Sequence, residues 1–130
     1  MTLQHHFHAV VWIDHRESRV VYFNADDTEQ HVVRSHAMLY HFHSPEGVRH
    51  IEDQKYFHEV AEALTDAQRF LVVGPSSAKT EFVAYLRTHA PQLLPRLAAT
   101  EPMDKCTDGE LVAHARRFFK TDDVMQPQAE

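Results

Sequence analysis

The sequence predicts an α/β protein in which a mixed sheet of about five strands carries helices packed on it. The length of 130 residues, with 43% hydrophobic and 25% charged residues, is typical of one globular domain. Three β-branched or aromatic segments come first, separated by polar turns. Strand-like and helix-like segments then alternate, which favours parallel strands joined by right-handed crossovers.

The first three segments predict an antiparallel meander. Residues 7–14 are apolar on both alternating faces after His8, as expected of a central strand. A polar turn at 14–18 leads to a second strand at 19–23. After a break at 24–27, the more polar third strand at 29–35 suits the sheet edge.

The next segment, residues 36–52, has no sustained period and contains Pro45 and Gly47, which predicts an exposed loop with room for one short strand.

Asp53 is the expected N-cap of the following amphipathic helix. A T-x-x-E capping box at 107–110 opens the last helix. The remaining expected elements are helix 53–66, strand 70–73, a helix from Ser76-Ser77 to before Pro91, and strand 96–100.

The resulting order β-β-β-α-β-α-β-α is that of the ribonuclease-H-like architecture. No repeat or linker interrupts it, so we expect a single domain at residues 1–120 and a flexible tail at 121–130.

Composition excludes several classes of protein. Because Cys106 is the only cysteine, no intramolecular disulfide or all-cysteine metal site can form, and a reducing cytoplasm is the expected location. The sequence shows neither a secretion signal nor an apolar stretch long enough to span a membrane. A net charge of −6 argues against tight general binding to nucleic-acid phosphate, although protonating the 12 histidines would reverse its sign.

A turn between the buried strand at 70–73 and the next helix is a candidate anion site, because helix N-termini favour anions. It is not a nucleotide-binding P-loop, since Ala78 stands where that motif has its second glycine. An ordinary turn capped by serine explains the same residues. The candidate residues are Gly74, Ser76, Ser77 and Lys79.

Two metal hypotheses remain open. Carboxylates that follow strands can hold paired divalent ions, and a ribonuclease-H-like nuclease would use Asp14, Glu101 and Asp104. Asp14 also fits a structural role in its turn.

Alternatively, a histidine cluster could bind zinc, nickel or copper or sense pH, although no recognised ligand spacing is present. Its members would be His36, His41, His43 and His50.

Cys106 precedes the capping box, where a helix N-terminus could lower the pKa of its thiol. No neighbouring residue in the sequence identifies itself as a base, so an inert cysteine is expected.

Several segments together resemble one known family. The closest stretch runs from Leu71 to Pro75, followed by Lys79-Thr80-Glu81-Phe82 and Tyr85-Leu86. With residues 10–14, 18–23, 56–64 and 107–111, it resembles the middle domain of the eukaryotic and archaeal peptide-chain release factor and Pelota. Bacterial stand-alone release-factor-like proteins of the translational machinery look similar too. The resemblance covers about the whole folded part.

One departure from the family matters for function. The release factor depends on a Gly-Gly-Gln tip between its third strand and first helix, and the corresponding residues 35–50 contain none. Pelota lacks the tip as well, so the resemblance implies a non-enzymatic domain without a cofactor that contacts the ribosome or tRNA, or a protein partner. The resemblance implies a lone middle domain, without the codon-reading and partner-binding domains of the complete factors, and the oligomeric state is open. The expected contact residues are Arg34, His36, His41, His43, Arg49, His50 and Lys55.

Overall fold

The computed structural model describes the backbone of residues 7–34 and 46–125, with side chains for 7–33 and 53–120. Its elements are β1 (His8–Ile13), β2 (Glu17–Phe23), β3 (Thr28–Arg34), α1 (Glu46–Ala63), β4 (Phe70–Gly74), α2 (Ala78–His89), a 3₁₀ helix (Pro91–Arg96), β5 (Leu97–Pro102) and α3 (Asp108–Met125).

The strands form one sheet in the order β3-β2-β1-β4-β5. β2 is antiparallel to both β1 and β3, whereas β4 is parallel to β1 and β5. The predicted fold class, the meander and the parallel later strands are therefore confirmed.

β1 lies in the centre of the sheet because its sequence is apolar on both faces. Val11 and Ile13 point into one layer, Val10 and Trp12 point into the other, and none is more than 2% exposed. Such two-sided burial is typical of strands that are covered by helices on both faces.

Two layers of helices cover the sheet. α1 and α2 pack on one face, where Tyr56, Val60, Phe82 and Leu86 join the β-strand side chains. α3 covers the other face with Leu111, Val112, Ala115 and Phe119. The fold is therefore a three-layer α/β/α sandwich. Among the described residues, no helix has the length and hydropathy needed to cross a membrane.

In each hairpin turn, one side-chain oxygen accepts hydrogen bonds from two backbone N–H groups. Asp14 Oδ1 accepts the N–H groups of Arg16 and Glu17 at 2.8 and 2.9 Å. Asn24 Oδ1 does the same for Asp26 and Asp27 at 2.9 and 2.8 Å. Asp and Asn favour turns because their side chains can replace a backbone acceptor in this way.

The start of α1 differs from the sequence prediction. The helix begins at Glu46, seven residues before the expected N-cap at Asp53, so the second half of the predicted 36–52 loop is helical. Apolar periodicity becomes visible only from Tyr56, which hid the polar first turns of the helix. The rest of the predicted loop, residues 36–45, lies outside the described residues.

The end of α1 is held by two side chains from elsewhere in the fold. The Tyr22 hydroxyl donates to the carbonyl oxygen of Ala63 at 2.6 Å and accepts the N–H of Asp66 at 3.2 Å. Arg96 donates to the carbonyl oxygen of Thr65 at 2.8 Å. The carbonyl groups that a helix C-terminus leaves unpaired thus find donors.

The start of α2 uses only one of the two serines predicted as its N-caps. Ser77 occupies the N-cap position but makes no side-chain capping bond. Instead its hydroxyl donates to Glu81 at 3.0 Å, and the Ser76 hydroxyl oxygen accepts the N–H of Ala78 at 3.3 Å. The cap therefore shifts by one residue because the helix's own glutamate engages Ser77.

The predicted capping box of α3 is confirmed. Thr107 N–H donates to Glu110 Oε1 at 2.9 Å, and Glu110 N–H donates to Thr107 Oγ1 at 3.1 Å. Beyond it, α3 continues to Met125, five residues past the predicted domain boundary at 120. No proline or glycine interrupts residues 121–125, and 126–130 lie outside the described residues.

Gly74 allows β4 to approach β1 closely, because a Cβ at this position would collide with the carbonyl oxygen of Ile13. We expect Gly74→Ala to lower the free energy of unfolding by about 1–3 kcal/mol, since the sheet must shift to admit the methyl group. Urea unfolding followed through Trp12 fluorescence measures this change.

Gly109→Ala is the matched control, because a Cβ there meets only Thr107 Oγ1 at 4.0 Å. Alanine favours helices, so this variant should be unchanged or up to about 1 kcal/mol more stable. Equal effects of the two substitutions would contradict the proposed close approach.

The dependence of the free energy of unfolding on alkaline pH tests the role of Tyr22. Burial raises the pKa of Tyr22 to about 12. The unfolded chain therefore loses this proton first, and the stability that is present below pH 10 is lost as the pH rises toward 12. Tyr22→Phe should weaken this dependence and should also cost about 1–2 kcal/mol at pH 8, because Ala63 loses its donor. Urea midpoints between pH 8 and 11 that fall in parallel for both proteins would refute the linkage.

Candidate functional site

One edge of the sheet collects the candidate residues. β1, β3, β4 and β5 all run in the same direction, and only β2 opposes them. The register pairs Arg34 with Glu17, so β3 ends beside the turn that Asp14 begins. The ends of β4 and β5 lie at the same edge, which we call the loop edge. In α/β sheets, ligands bind beyond the carboxyl ends of parallel strands.

α1 extends beyond the loop edge. The Tyr56 hydroxyl donates to the carbonyl oxygen of Asp14 at 2.8 Å, and burial raises the pKa of Tyr56 far above its usual value. The phenol thus stays protonated and anchors the middle of the helix at the edge. Glu46 begins the helix ten residues earlier, which places it about 15 Å further along the helix axis. The end of β3 at Arg34 and the start of α1 at Glu46 therefore both lie on the side of the loop edge.

The carboxylates of the nuclease hypothesis are engaged separately. Asp14 is held by the two backbone amides of its own turn. Glu101 Oε1 lies 2.7 Å from His114 Nε2, and both side chains are about one third exposed. Asp104 is exposed, and its backbone carbonyl accepts the Trp12 indole N–H at 3.3 Å.

Within residues 7–33 and 53–120, no three His, Cys, Asp or Glu side chains are grouped closely enough to hold a metal ion. The geometry does not favour the nuclease hypothesis, because a two-metal site needs carboxylates that converge. Of the predicted histidine cluster, His36, His41 and His43 lie outside the described residues. The backbone of His50 is in α1, but its side chain is not described. The histidine hypothesis therefore stays a prediction.

The predicted anion turn sits at the loop edge between β4 and α2. Lys79 donates to the carbonyl oxygen of Ser76 at 2.8 Å, which folds its ammonium group back onto the turn. Glu81 already places a carboxylate at the start of α2, where it accepts the Ser77 hydroxyl. An external anion at this turn would compete with that carboxylate, and the site stays a prediction.

His15 and Glu81 form a link that sequence reasoning missed. Glu81 Oε1 lies 3.1 Å from His15 Nε2, while Glu81 Oε2 accepts the Ser77 hydroxyl at 3.0 Å. About half of each ionisable side chain is exposed. The only local signal in the sequence is the four-residue spacing between Ser77 and Glu81. The histidine comes from 66 residues away and meets the pair because β1 adjoins β4.

Arg19 organises the other side of the loop edge. Its guanidinium donates to the carbonyl oxygen of Cys106 at 3.0 Å and lies 3.3–3.4 Å from carboxylate oxygens of Glu17 and Asp108. It also lies 6.0 Å from the centre of the Trp12 ring. Lys105 adds a second cation 3.8 Å from Glu17. The acidic side chains of this region therefore have nearby cations.

The thiol of Cys106 does not show the activation that its place before α3 suggests. Burial raises its pKa, and the nearby carboxylate of Glu110 raises it further. Its sulfur lies 3.7 Å from that of Met103. A protonated, half-buried thiol is a poor nucleophile, so the expectation of an inert cysteine agrees with its surroundings.

The predicted contact residues are described only in part. Arg34 ends β3 and Arg49 lies in the second turn of α1, both by backbone position. Lys55 is exposed on α1, next to the Tyr56 anchor. In the sequence, these three cationic residues therefore flank residues 35–45.

No family model and no curated protein matches this chain. Several solved structures are similar to it. Pelota from Archaeoglobus fulgidus aligns over 85% of the chain with 17% identity and a TM-score of 0.61. Pelota from Thermoplasma acidophilum aligns over 84% with 17% identity and a TM-score of 0.63. The archaeal translation termination factor aRF1 aligns over 91% with 13% identity and a TM-score of 0.54.

The chain spans 31% of the length of each Pelota structure and 40% of that of aRF1. At these identities the likeness concerns the fold. The resemblance to the release-factor and Pelota family that the sequence predicts is thus confirmed at the level of the fold.

Proposed function

We propose that this chain is a translation-related protein that contacts the ribosome or tRNA without hydrolysing peptidyl-tRNA. The observation that carries the proposal is the fold shared with translation factors over 84–91% of the chain. Fold alone does not determine function, so the proposed contact also depends on the residues at the loop edge.

The glycine content supports the non-hydrolytic part of the proposal. The chain has three glycines, Gly47, Gly74 and Gly109, and no two are adjacent. A Gly-Gly-Gln tip is therefore impossible anywhere in this sequence. Gly74 and Gly109 have structural positions at the end of β4 and in the first turn of α3. A release factor's hydrolytic role does not fit this chain.

The contact surface that we propose is built around the segment between β3 and α1. We call it the loop surface, and its residues are Arg34, His36, His41, His43, Arg49, His50 and Lys55. Its three permanently charged members are cationic, as contact with phosphate requires. Its histidines add positive charge under mild acidity.

The surroundings of the loop surface reduce the repulsion expected from an acidic chain. Asp14 is hydrogen-bonded within its turn, Glu81 adjoins His15, and Glu17 lies between Arg19 and Lys105. Of these, Glu17 has two permanent cations within 4 Å, so it opposes a phosphate less than a free carboxylate would.

Sedimentation with purified ribosomes through a sucrose cushion tests the proposal. We expect the protein to pellet with ribosomes at low salt, and Arg49→Glu/Lys55→Glu to weaken binding and lower the salt slope by about 2. Arg87→Glu/Arg117→Glu is the matched control, because both arginines are exposed on other surfaces. Absence of the protein from the pellet at all salt concentrations, or equal losses for the two variants, would contradict the loop surface.

A release assay separates contact from catalysis. With peptidyl-tRNA bound to ribosomes, we expect no peptide release above the level without protein, because the chain has no Gly-Gly-Gln. Release that depends on the added protein would show that the non-hydrolytic part of the proposal is wrong even where binding is observed.

A further inference from the structure

A cavity of about 380 Å³ opens at the opposite edge of the sheet from the loop surface. It lies between the C-terminal half of α3 and the turn that joins β2 to β3. His8, at the start of β1, forms one side, and Asn24 and Ala25 of the turn form another. None of its residues belongs to the loop surface, so the two sites are separate.

The floor of this cavity is aromatic. Phe23 and Phe119 line it, and each is only 3% exposed. The imidazole of His8 lies against Phe119, with ring centres 4.3 Å apart. Arg69 lies 5.9 Å from the centre of the Phe119 ring. A planar ring that enters the cavity would therefore meet His8 and the small exposed parts of Phe23 and Phe119.

The rim of the cavity is cationic. Arg116 donates through Nε and Nη2 to the carbonyl oxygen of Asn24, at 3.3 and 3.0 Å, and it approaches that of Asp27 at 3.5 Å. These acceptors are neutral, so they fix the guanidinium in place without cancelling its charge. Lys120 is the exposed second cation.

The acidic groups nearest in the chain are Asp26 and Asp27 of the turn, which are exposed, and Asp122 and Asp123 of α3, whose side chains lie outside those described. Among the described residues that line the cavity, none is acidic. A chain of net charge −6 therefore has a cationic pocket with an apolar floor at this place. Such a pocket selects an anion that carries an apolar body.

We propose that this cavity binds a phosphate joined to a planar ring, as in a nucleoside monophosphate. The phosphate would contact Arg116 and Lys120, and the ring would pack against His8 and the aromatic floor. The cavity volume falls within the range of about 300–1,000 Å³ that is typical of small-molecule sites. Inorganic phosphate leaves the floor empty, whereas a free nucleoside brings no anion to the two cations.

Isothermal titration calorimetry with four probes tests the chemistry of the ligand. Adenosine monophosphate and phenyl phosphate should each bind at least about tenfold more tightly than adenosine or inorganic phosphate, because only they use both the floor and the rim. Equal affinities for phosphate and adenosine monophosphate would refute the role of the ring. Absence of binding at millimolar concentrations would refute the site.

Two charge reversals on α3 test the location of the binding site. Lys120→Glu should weaken binding of adenosine monophosphate at least about tenfold. Arg117→Glu makes the same charge change at an exposed neighbouring position that does not line the cavity, and it should change affinity less than about twofold. Equal losses would indicate general charge attraction and overturn the proposal.

Ala25→Trp should abolish binding by filling the cavity, and unchanged affinity would also overturn the proposal. Thermal unfolding verifies that each variant remains folded. Ribosome sedimentation of Lys120→Glu should match that of the unchanged protein, so failure of this site and failure of the loop surface give different results.

Discussion

The pairing of β1 with β2 on one side and β4 on the other is the constraint on which the rest of the molecule depends. β1 is apolar on both faces, so it is stable only where helices cover both. α1 and α2 cover one face and α3 covers the other. Since β3 and β4 run in the same direction, the chain must return across the sheet between them, and α1 makes this crossover on one face.

The same pairing explains why several polar side chains at the loop edge serve the fold. Asp14 satisfies its turn, Tyr56 fixes α1 to that turn, and Arg19 joins the start of β2 to the loop before α3. Buried or half-buried polar groups need such partners, because an unpaired group is costly. Carboxylates used in this way are not positioned to converge on a metal ion.

Local patterns predicted the elements whose stabilising contacts are also local. Burial on both faces identifies β1, and the four-residue capping box identifies the start of α3. The start of α1 was mispredicted because its first turns show no apolar period. Of the two serines predicted as caps of α2, Ser76 bonds the N–H of Ala78 and Ser77 bonds Glu81, a choice that depends on the helix being formed.

The candidate sites were less predictable than the fold, because they depend on contacts between distant parts of the chain. His15 and Glu81 are 66 residues apart in the sequence. Arg116 donates to the carbonyl oxygen of Asn24, which is 92 residues away. In the sequence, Arg116 and Lys120 belong to a short cluster of charges on a helix. The cavity beside them exists only because the turn after β2 folds against α3.

Net charge is a poor guide to what this chain can bind, because its charges are paired unevenly. Glu17, Glu101 and Asp108 each lie within 4 Å of a basic side chain. Arg116, by contrast, is held by neutral carbonyl groups and keeps its full charge at the rim of a cavity. At a few ångströms, local charges dominate over those more than a Debye length of about 8 Å away. An acidic protein can therefore carry a local pair of cations, here Arg116 and Lys120, at one edge of its sheet.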